Sequence, residues 1–585
     1  MSVVLQTEKR NARTRLFYVL LYLLLGIGAA SMIYPFLMMV SGSFKSRIDA
    51  AEMDLVPRFF SDDELLYQKY VEAKYGEDIG LYNRVSGNSL RNFSEVSISG
   101  DRENVMEQRW RSFMETSDMP PGWFMVGFGP TLDGKIIQKN ERAFRHFIKK
   151  ACGGDLSVFR QRFKEPIENW FFLKFRAERL TDRNYQVSKT KLMEAFYEFK
   201  KSVPIEDRIV VSCDQAFALY LESQGESPKV LEARCSGSYW STFVRDQLHP
   251  QYVNVDAVVK EDWINFLRER YADLDDLNRF YQHEVDAFED IPFPPRDRIY
   301  ASAELTDYMV FYADRDRVPD AVLSVDGPDL RWRSFSANNV SMQQGQVAMD
   351  ESVLMSDSSA IKRQFSSRNF VMVFEYILFY GQGIRNTLIY CLLSIALALL
   401  INPLAAYALS RCVPLGTYKI LLFLIATMAF PTVVTMIPNF LLLRDLGLLN
   451  TFAALLLPTM ANGYSIFLLK GFFDSLPREL FEAAEIDGAG EWTKFWMLTM
   501  NLSKPILAVI ALGAFTAAYS NFMYAFILCQ DRGMWTLMVW LYQLQQFSSQ
   551  GVVFASLLVA AIPTLLVFVL CQNVIIRGIV VPTEK

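Results

Sequence analysis

The chain has 585 residues, of which 51% are hydrophobic and 21% charged, with a formal net charge of −5. It is too apolar for an ordinary soluble enzyme and too charged for a compact transporter. The charge divides as +3 over residues 1–40, +2 over 379–585 and −10 over 41–378. Two lipid-embedded blocks therefore flank a soluble acidic segment, long enough for its own core in one or two lobes.

Apolar runs near the 20 residues needed to cross the hydrocarbon layer predict six spans. They fall at Leu16–Val40, Ile384–Leu409, Tyr418–Leu443, Thr451–Phe473, Ile506–Leu528 and Val552–Val574. Pro431 and Pro438 predict a kink or unwound turn in the third. Lys9, Arg10, Arg13 and Arg15 precede the first span closely, which puts the amino terminus in the cytoplasm. Counting crossings then places 41–378 outside and leaves Arg411, Lys419, Arg577 and Lys585 inside. The first apolar run is too long for a cleaved signal peptide and lacks a clean small-residue cleavage site.

Within the outer segment the expected helices are Asp62–Tyr75, Asn140–Lys150, Ser157–Leu180 (broken near Pro166), Lys189–Lys201, Cys213–Glu222 and Val259–Leu277. Trp263, Phe266, Leu267, Tyr271, Leu274 and Leu277 form an apolar stripe that reads as core packing. Leu221 and Leu231 share the ten-residue spacing of Leu267 and Leu277, which suggests a helix-turn-helix unit repeated two or three times. The Ser-, Gln- and Asn-rich stretch Val340–Ser367 reads as a flexible return linker. Cys391, Cys412, Cys529 and Cys571 lie in or beside spans as packing residues. Of Cys152, Cys213 and Cys235, separation favours Cys213–Cys235 as the possible disulfide. His146, His249 and His283 are far apart in sequence, so no metal centre is expected.

Between the fourth and fifth spans lies Leu480-Phe-Glu-Ala-Ala-Glu-Ile-Asp-Gly-Ala-Gly490, a short polar helix closed by glycines. Trp492–Met500 follows as a second amphipathic piece. This pattern resembles the Glu-Ala-Ala loop of permease subunits from ATP-binding-cassette importers, the maltose-type second permease in particular. The likeness extends to Met436–Thr451, Phe467–Leu480, Ser43–Ser46, Asn386–Leu388, Thr536-Leu537 and Pro563–Gly578. It covers residues 14–48 and 372–580.

The resemblance implies an all-α membrane protein: 1–45 as the amino terminus and first span, 46–371 as a mainly helical periplasmic insertion, and 372–585 as the permease core. The coupling loop would occupy 474–505. Glu482, Ala483, Ala484, Asp487 and Gly488 would meet a cytoplasmic ATPase, with Phe495 and Pro505 shaping the helix beyond. No Gly-x-x-x-x-Gly-Lys-Ser/Thr phosphate loop occurs, so ATP and Mg belong on a separate ATPase dimer and the chain itself is not an enzyme. A second permease subunit, a periplasmic substrate-binding protein and a small sugar substrate are the other implied partners, without nucleic acid. The cell inner membrane is the implied location. Polar and aromatic side chains inside spans are candidates for the translocation path: Asn386, Asn439, Asn462, Tyr464, Tyr519, Asn521 and Tyr524. The bland alternative for each is a hydrogen bond between helices.

Three departures from the family pattern stand out. Asn501 replaces a usual proline, Tyr519-Ser520-Asn521 replaces a Trp-Asn-acidic triplet, and Val580–Lys585 lacks the usual glycine-and-lysine tail. The insertion is the largest departure. Trp263–Tyr271, Leu277–Tyr281 and Ala287–Pro294 are similar to a segment of β-galactosidase-like glycoside hydrolases. The alternative reading is therefore a membrane-anchored carbohydrate-binding receptor or hydrolase-like protein. Glu284, Asp286, Glu289 and Asp290 lie nearby, yet no strand-helix alternation suggests a barrel to hold a carboxylate pair.

Overall fold

The computed structural model describes residues 12–98, 105–127, 138–282, 284–336, 341–428 and 431–578. Lys9, Arg10, His283 and the tail Val580–Lys585 lie outside the described residues. The chain forms two compact units, residues 1–44 with 368–585, and residues 45–367.

The first unit is entirely helical among its described residues. The helix Gly383–Tyr407 packs on Lys504–Tyr519 and Gly463–Asp474, and Gln550–Gly578 packs on Lys504–Tyr519 and Ala12–Gly42. Small residues permit close approach: a Cβ on Gly42 would sit 2.4 Å from the Phe554 ring, and one on Gly381 2.3 Å from Trp540. Ala406, Leu469, Phe473 and Phe495 centre the core. The apolar side chains of the first helix, such as Leu24, Met32 and Ile33, remain exposed, as on a helix whose surroundings are hydrocarbon.

Among the described residues, six continuous spans are not found. Among the described residues three helices are long and apolar enough to cross a membrane: Leu16–Gly42, Gly383–Cys412 and Gln550–Gln572. The pair Glu491–Leu502 and Lys504–Tyr519 meets the test jointly but bends by 82°. The predicted third, fourth and fifth spans are each divided. Thr432–Asp445 starts afresh after Pro431, which has no N–H to continue a helix. Phe452–Leu456 and Gly463–Asp474 are separate because Asn462 caps the second through the Ser465 N–H. Lys504–Tyr519 and Phe522–Leu528 part at Ser520 and Asn521.

The second unit is a tandem array. In full form the repeat runs helix, short helix, 3-10 turn, helix, 3-10 turn, strand. The first copy is Asp63–Lys74, Ile79–Ser86, Phe93–Glu95, Val105–Thr116, Pro121–Trp123 and Phe124–Met125. The second is Lys139–Ala151, Leu156–Phe163, Trp170–Phe172, Lys191–Ser202, Ile205–Asp207 and Ile209–Val210. A shortened third copy, Cys213–Ser223, Ser238–Asp246, Pro250–Tyr252 and Val253–Val255, has no second helix. The fourth restores it: Lys260–Arg270, Leu274–Tyr281, Phe288–Asp290, Ala303–Ala313, Asp320–Val322 and Leu323–Val325.

Local chemistry repeats with the geometry. Asp78, Asp155 and Asp273 each cap the short helix through a carboxylate. The helix ends in each case on a left-handed residue, Gly87, Lys164 or Gln282, at φ 74°, 55° and 55°. The loop beyond is tied back by one side chain. Asn83 donates to the Leu90 carbonyl (2.8 Å) and accepts from its N–H (3.1 Å). Asn278 does the same to Val285 at 2.9 and 3.2 Å, and Arg160 donates to Ile167 O in the second copy. Tyr67, Phe144 and Trp263 are the equivalent buried aromatics, each followed one turn later by Val71, Ile148 or Leu267.

Copies pair through their strands. Phe124 opposes Val210 and Met125 opposes Ile209, while Val253–Val255 runs antiparallel to Leu323–Val325. An arginine of the earlier copy reinforces each pair: Arg111 reaches Glu206 and Arg245 reaches Asp320, both at 2.6 Å. Beyond the paired strands two equivalent helices, Cys213–Ser223 and Pro328–Ser336, pack together. Asp329 accepts hydrogen bonds from the Ser212 hydroxyl (2.8 Å) and the Cys213 N–H (2.6 Å), while Asp214 pairs with Arg333. Burial, and then the facing Asp214 charge, push the Asp329 carboxyl up to about 7.

Several expectations are corrected. Ser157–Leu180 breaks near Pro166 as expected, at the left-handed Lys164, but beyond it only the 3-10 turn Trp170–Phe172 forms in place of a second helix. Val259–Leu277 is two helices, since Asp273 starts a second. Val340–Ser367 is not a linker: from Met342 it is helix, kinked at Asp357, with Met342, Gln346, Met349 and Leu354 buried before the kink and Ile361 and Phe365 after it. Cys213 and Cys235 are both free. Cys213 is buried against Gly327, whereas the Cys235 sulfur faces the N–H of Gly237 at 3.4 Å. Leu221 and Leu231 are both buried, but Leu231 lies outside any helix.

Two predictions follow from this packing. Asn83→Ala or Asn278→Ala strands a loop N–H and carbonyl and should cost about 1–3 kcal/mol, read as earlier thermal proteolysis of the 45–367 unit. Asp329 has a folded-state value above its unfolded value of about 3.9. Its contribution is therefore complete below about pH 4 and is lost as pH rises to about 7. The melting temperature of that unit should fall between pH 5 and 8, and Asp329→Asn should make the fall shallower, leaving the part due to Glu304, which burial also pushes up to about 7.

Candidate functional site

The loop helix Arg478–Ile486 begins after Pro477, whose fixed φ suits a helix entry. Phe481 is its buried anchor, while Glu482, Ala483, Glu485 and Ile486 face outward and Ala484 is half-buried. Among the described residues Glu482 has no hydrogen-bond or ion-pair partner, so its carboxylate is free for another molecule. The helix closes by the Ala489 N–H reaching Ala484 O (2.9 Å) and the Gly488 N–H reaching Glu485 O (3.0 Å). Gly488 sits at φ 80° with open space where a Cβ would go. Conformation rather than crowding requires glycine there. The structure thus gathers Glu482, Ala483, Ala484, Asp487 and Gly488 on one short, exposed element.

The return arm starts at Glu491 and passes through a π-helical stretch, Lys494–Thr499. Lys494 pairs with Glu491 at 2.6 Å and reaches Glu485 of the loop helix at 3.7 Å. Hydrogen bonds from Lys494 and Tyr407 hold the Glu491 carboxyl below its usual range. Phe495 is buried and the Trp492 ring stacks on it at 5.9 Å. Asn501 donates to Met497 O (2.8 Å), so this replacement for proline stays within its own helix. Pro505 begins the helix beyond the 82° bend.

The path candidates separate into two kinds. Asn386 donates to Gly533 O (2.7 Å) and Trp535 O (3.1 Å), and Tyr519 donates to Ala560 O (2.7 Å). Asn521 donates to the Tyr390 hydroxyl (2.9 Å). Asn462 caps its helix and gives its own N–H to Asn402 Oδ1 at 2.8 Å. These four hold helices together. Asn439 is half-buried beside Tyr524, and Tyr464 is exposed. Asn402 and Tyr390, not singled out from sequence, are the partners on the central helix. Asn402 was readable as a lone amide in an apolar run.

The family model for the binding-protein-dependent transport system inner membrane component matches residues 402–581. Protein LplC of Bacillus subtilis (strain 168) is 33% identical over 166 residues, 26% of this chain and 56% of that protein. The polygalacturonan/rhamnogalacturonan transport system permease protein YtcP of the same organism is 31% identical over 207 residues, 32% of this chain and 72% of that protein. This chain therefore spans just over half the length of the first and nearly three quarters of the second. A chain in the crystal structure of a bacterial ABC transporter involved in the import of the acidic polysaccharide alginate is 27% identical, covering 35% of this chain and 78% of that one, with a TM-score of 0.32. On 31% identity over 72% of the length of YtcP, and on the match to the family model, the chain belongs to the family of binding-protein-dependent transport system inner membrane permeases.

Proposed function

We propose that this chain is the transmembrane permease subunit of an ATP-binding-cassette importer for carbohydrate. The observation that carries the reading is the loop helix Arg478–Ile486, anchored by one buried phenylalanine and presenting an unpaired Glu482. An anchor for a receptor or hydrolase has no use for such an element. Closure of a cytoplasmic ATPase pair on ATP and Mg would push this helix and swing the permease between inward- and outward-facing forms. Two membrane halves must surround such a path, so a second permease subunit is required. A binding protein would deliver sugar from the periplasm, where the 45–367 unit would lie, with both termini cytoplasmic. Carbohydrate as cargo is supported by a relative that is a polygalacturonan/rhamnogalacturonan permease.

Gentle purification from native membranes should bring down an ATPase and a second permease in stoichiometric amounts. Recovery of this chain alone, under conditions that keep other transporters intact, sinks the reading. Gly488→Ala forces a Cβ into the left-handed region, and Glu482→Lys reverses the exposed charge. Each should lower uptake of radiolabelled maltotriose or trigalacturonate by about tenfold or more, a loss of about 1.4 kcal/mol of coupling, without lowering membrane levels. Normal uptake in well-expressed variants removes the coupling assignment.

A further inference from the structure

Resting on that coupling reading, one question is which side chains carry the loop helix's displacement into the membrane helices. We infer that Arg411 and Tyr407, at the end of Gly383–Tyr407 and its π-helical extension Ala408–Cys412, form a latch that fastens both arms of the loop to the helical core. The two residues are positioning residues, one helical turn apart.

Arg411 grips the first arm. Its guanidinium lies 4.0 Å from the centroid of the Phe481 ring, the buried anchor of the loop helix. The same group donates to Phe473 O (2.6 Å) and Leu476 O (3.0 Å). Phe473 lies in the last turn of Gly463–Asp474, where its carbonyl also accepts the Leu476 N–H (3.3 Å), and Leu476 lies in the turn that leads to the loop helix. Ser410 adds a hydrogen bond to Asp474 at 2.6 Å. One planar cation thus joins three helix ends.

Tyr407 grips the second arm. Its hydroxyl donates to Glu491 Oε2 at 2.8 Å, and its ring meets Phe495 edge-on at 5.3 Å. Glu491 in turn holds Lys494, which reaches back to Glu485 on the loop helix. The contacts close a ring: Arg411, the loop helix, Lys494, Glu491, Tyr407. Both sides of the ring use π-helical backbone, Ala408–Cys412 and Lys494–Thr499. Such turns shift side chains off the regular helical face and collect at working positions. Both carbonyl bonds come from the one nitrogen Nη2, so what lysine would lose is the flat guanidinium face over Phe481.

The test uses the whole transporter purified from native membranes, with ATP and vanadate as the probe. Spin labels go on Ile486→Cys, which is exposed, and on the native exposed Cys412, with the other cysteines replaced by serine. The parent should give one narrow distance that is the same with and without ATP-vanadate, because loop and helix move as one body. Arg411→Ala should broaden it and add a second distance on ATP-vanadate while the ATPase still co-purifies. Arg411→Lys should fall between the two. A narrow, unchanged distance in Arg411→Ala overturns the latch. If that variant does not assemble, Phe481→Leu decides: it keeps the burial, removes the π face and must broaden the distance, and a parental profile overturns the latch. Failure of the coupling reading itself would appear differently, as absence of an ATPase from the purified parent.

Discussion

A helix that breaks inside an apolar layer exposes amides and carbonyls where no water can satisfy them, and this constraint organises the membrane unit. Several of the helix ends have a side-chain partner. Asn462 restarts one helix and is itself bonded to Asn402 on the central helix. Asn386 takes up Gly533 O and Trp535 O in the turn before Leu537–Gln546. The Leu537 N–H goes to the Thr387 hydroxyl at 2.8 Å, and Arg411 collects two terminal carbonyls. Removing one such side chain leaves a backbone group stranded, which costs more than the hydrogen bond itself is worth.

The same side chains that satisfy the backbone also set the geometry of the loop. The helix Gly383–Tyr407 supplies Asn386, Thr387, Tyr390 and Asn402 along its length, and Tyr407 at its end. It therefore meets the breaks at Asn462 and Asn521 through Asn402 and Tyr390. Tyr407 and Arg411, at its end and just beyond, meet both arms of the loop through Glu491 and Phe481.

The 45–367 unit solves a different problem, that of building a large core from short helices. Apart from the helix that begins at Met342, its elements are too short to bury much surface alone. Stacking equivalent helices and pairing strands between copies supplies a shared core. What recurs is geometry rather than identity: an aspartate cap, a left-handed end and a side chain that ties the loop. Tyr67, Phe144 and Trp263 do one job with three residue types. That is why only a fragment of the repeat could be read beforehand, and why Leu231, at the matching spacing, proved buried without being helical. The Cys213–Cys235 pairing failed for a related reason. Sequence separation carries no information on where two sulfur atoms point.

By itself the sequence determined a membrane protein with an acidic insertion, the loop motif and the family resemblance, because apolar run length, charge sign and helix-and-glycine chemistry are local properties. The periodicity of Trp263, Leu267 and Leu277 likewise placed those side chains in a core. The break at Pro431 was legible as a proline in an apolar run, but tertiary structure alone decided those at Asn462 and Asn521, since a run reads the same whether continuous or divided by an asparagine. It also turned the serine- and glutamine-rich stretch after Met342 into helix, because buried side chains outweigh weak local propensity. Finally, it brought Arg411 to Phe481 and Tyr407 to Glu491, contacts between residues some 70 to 84 positions apart that no local pattern announces.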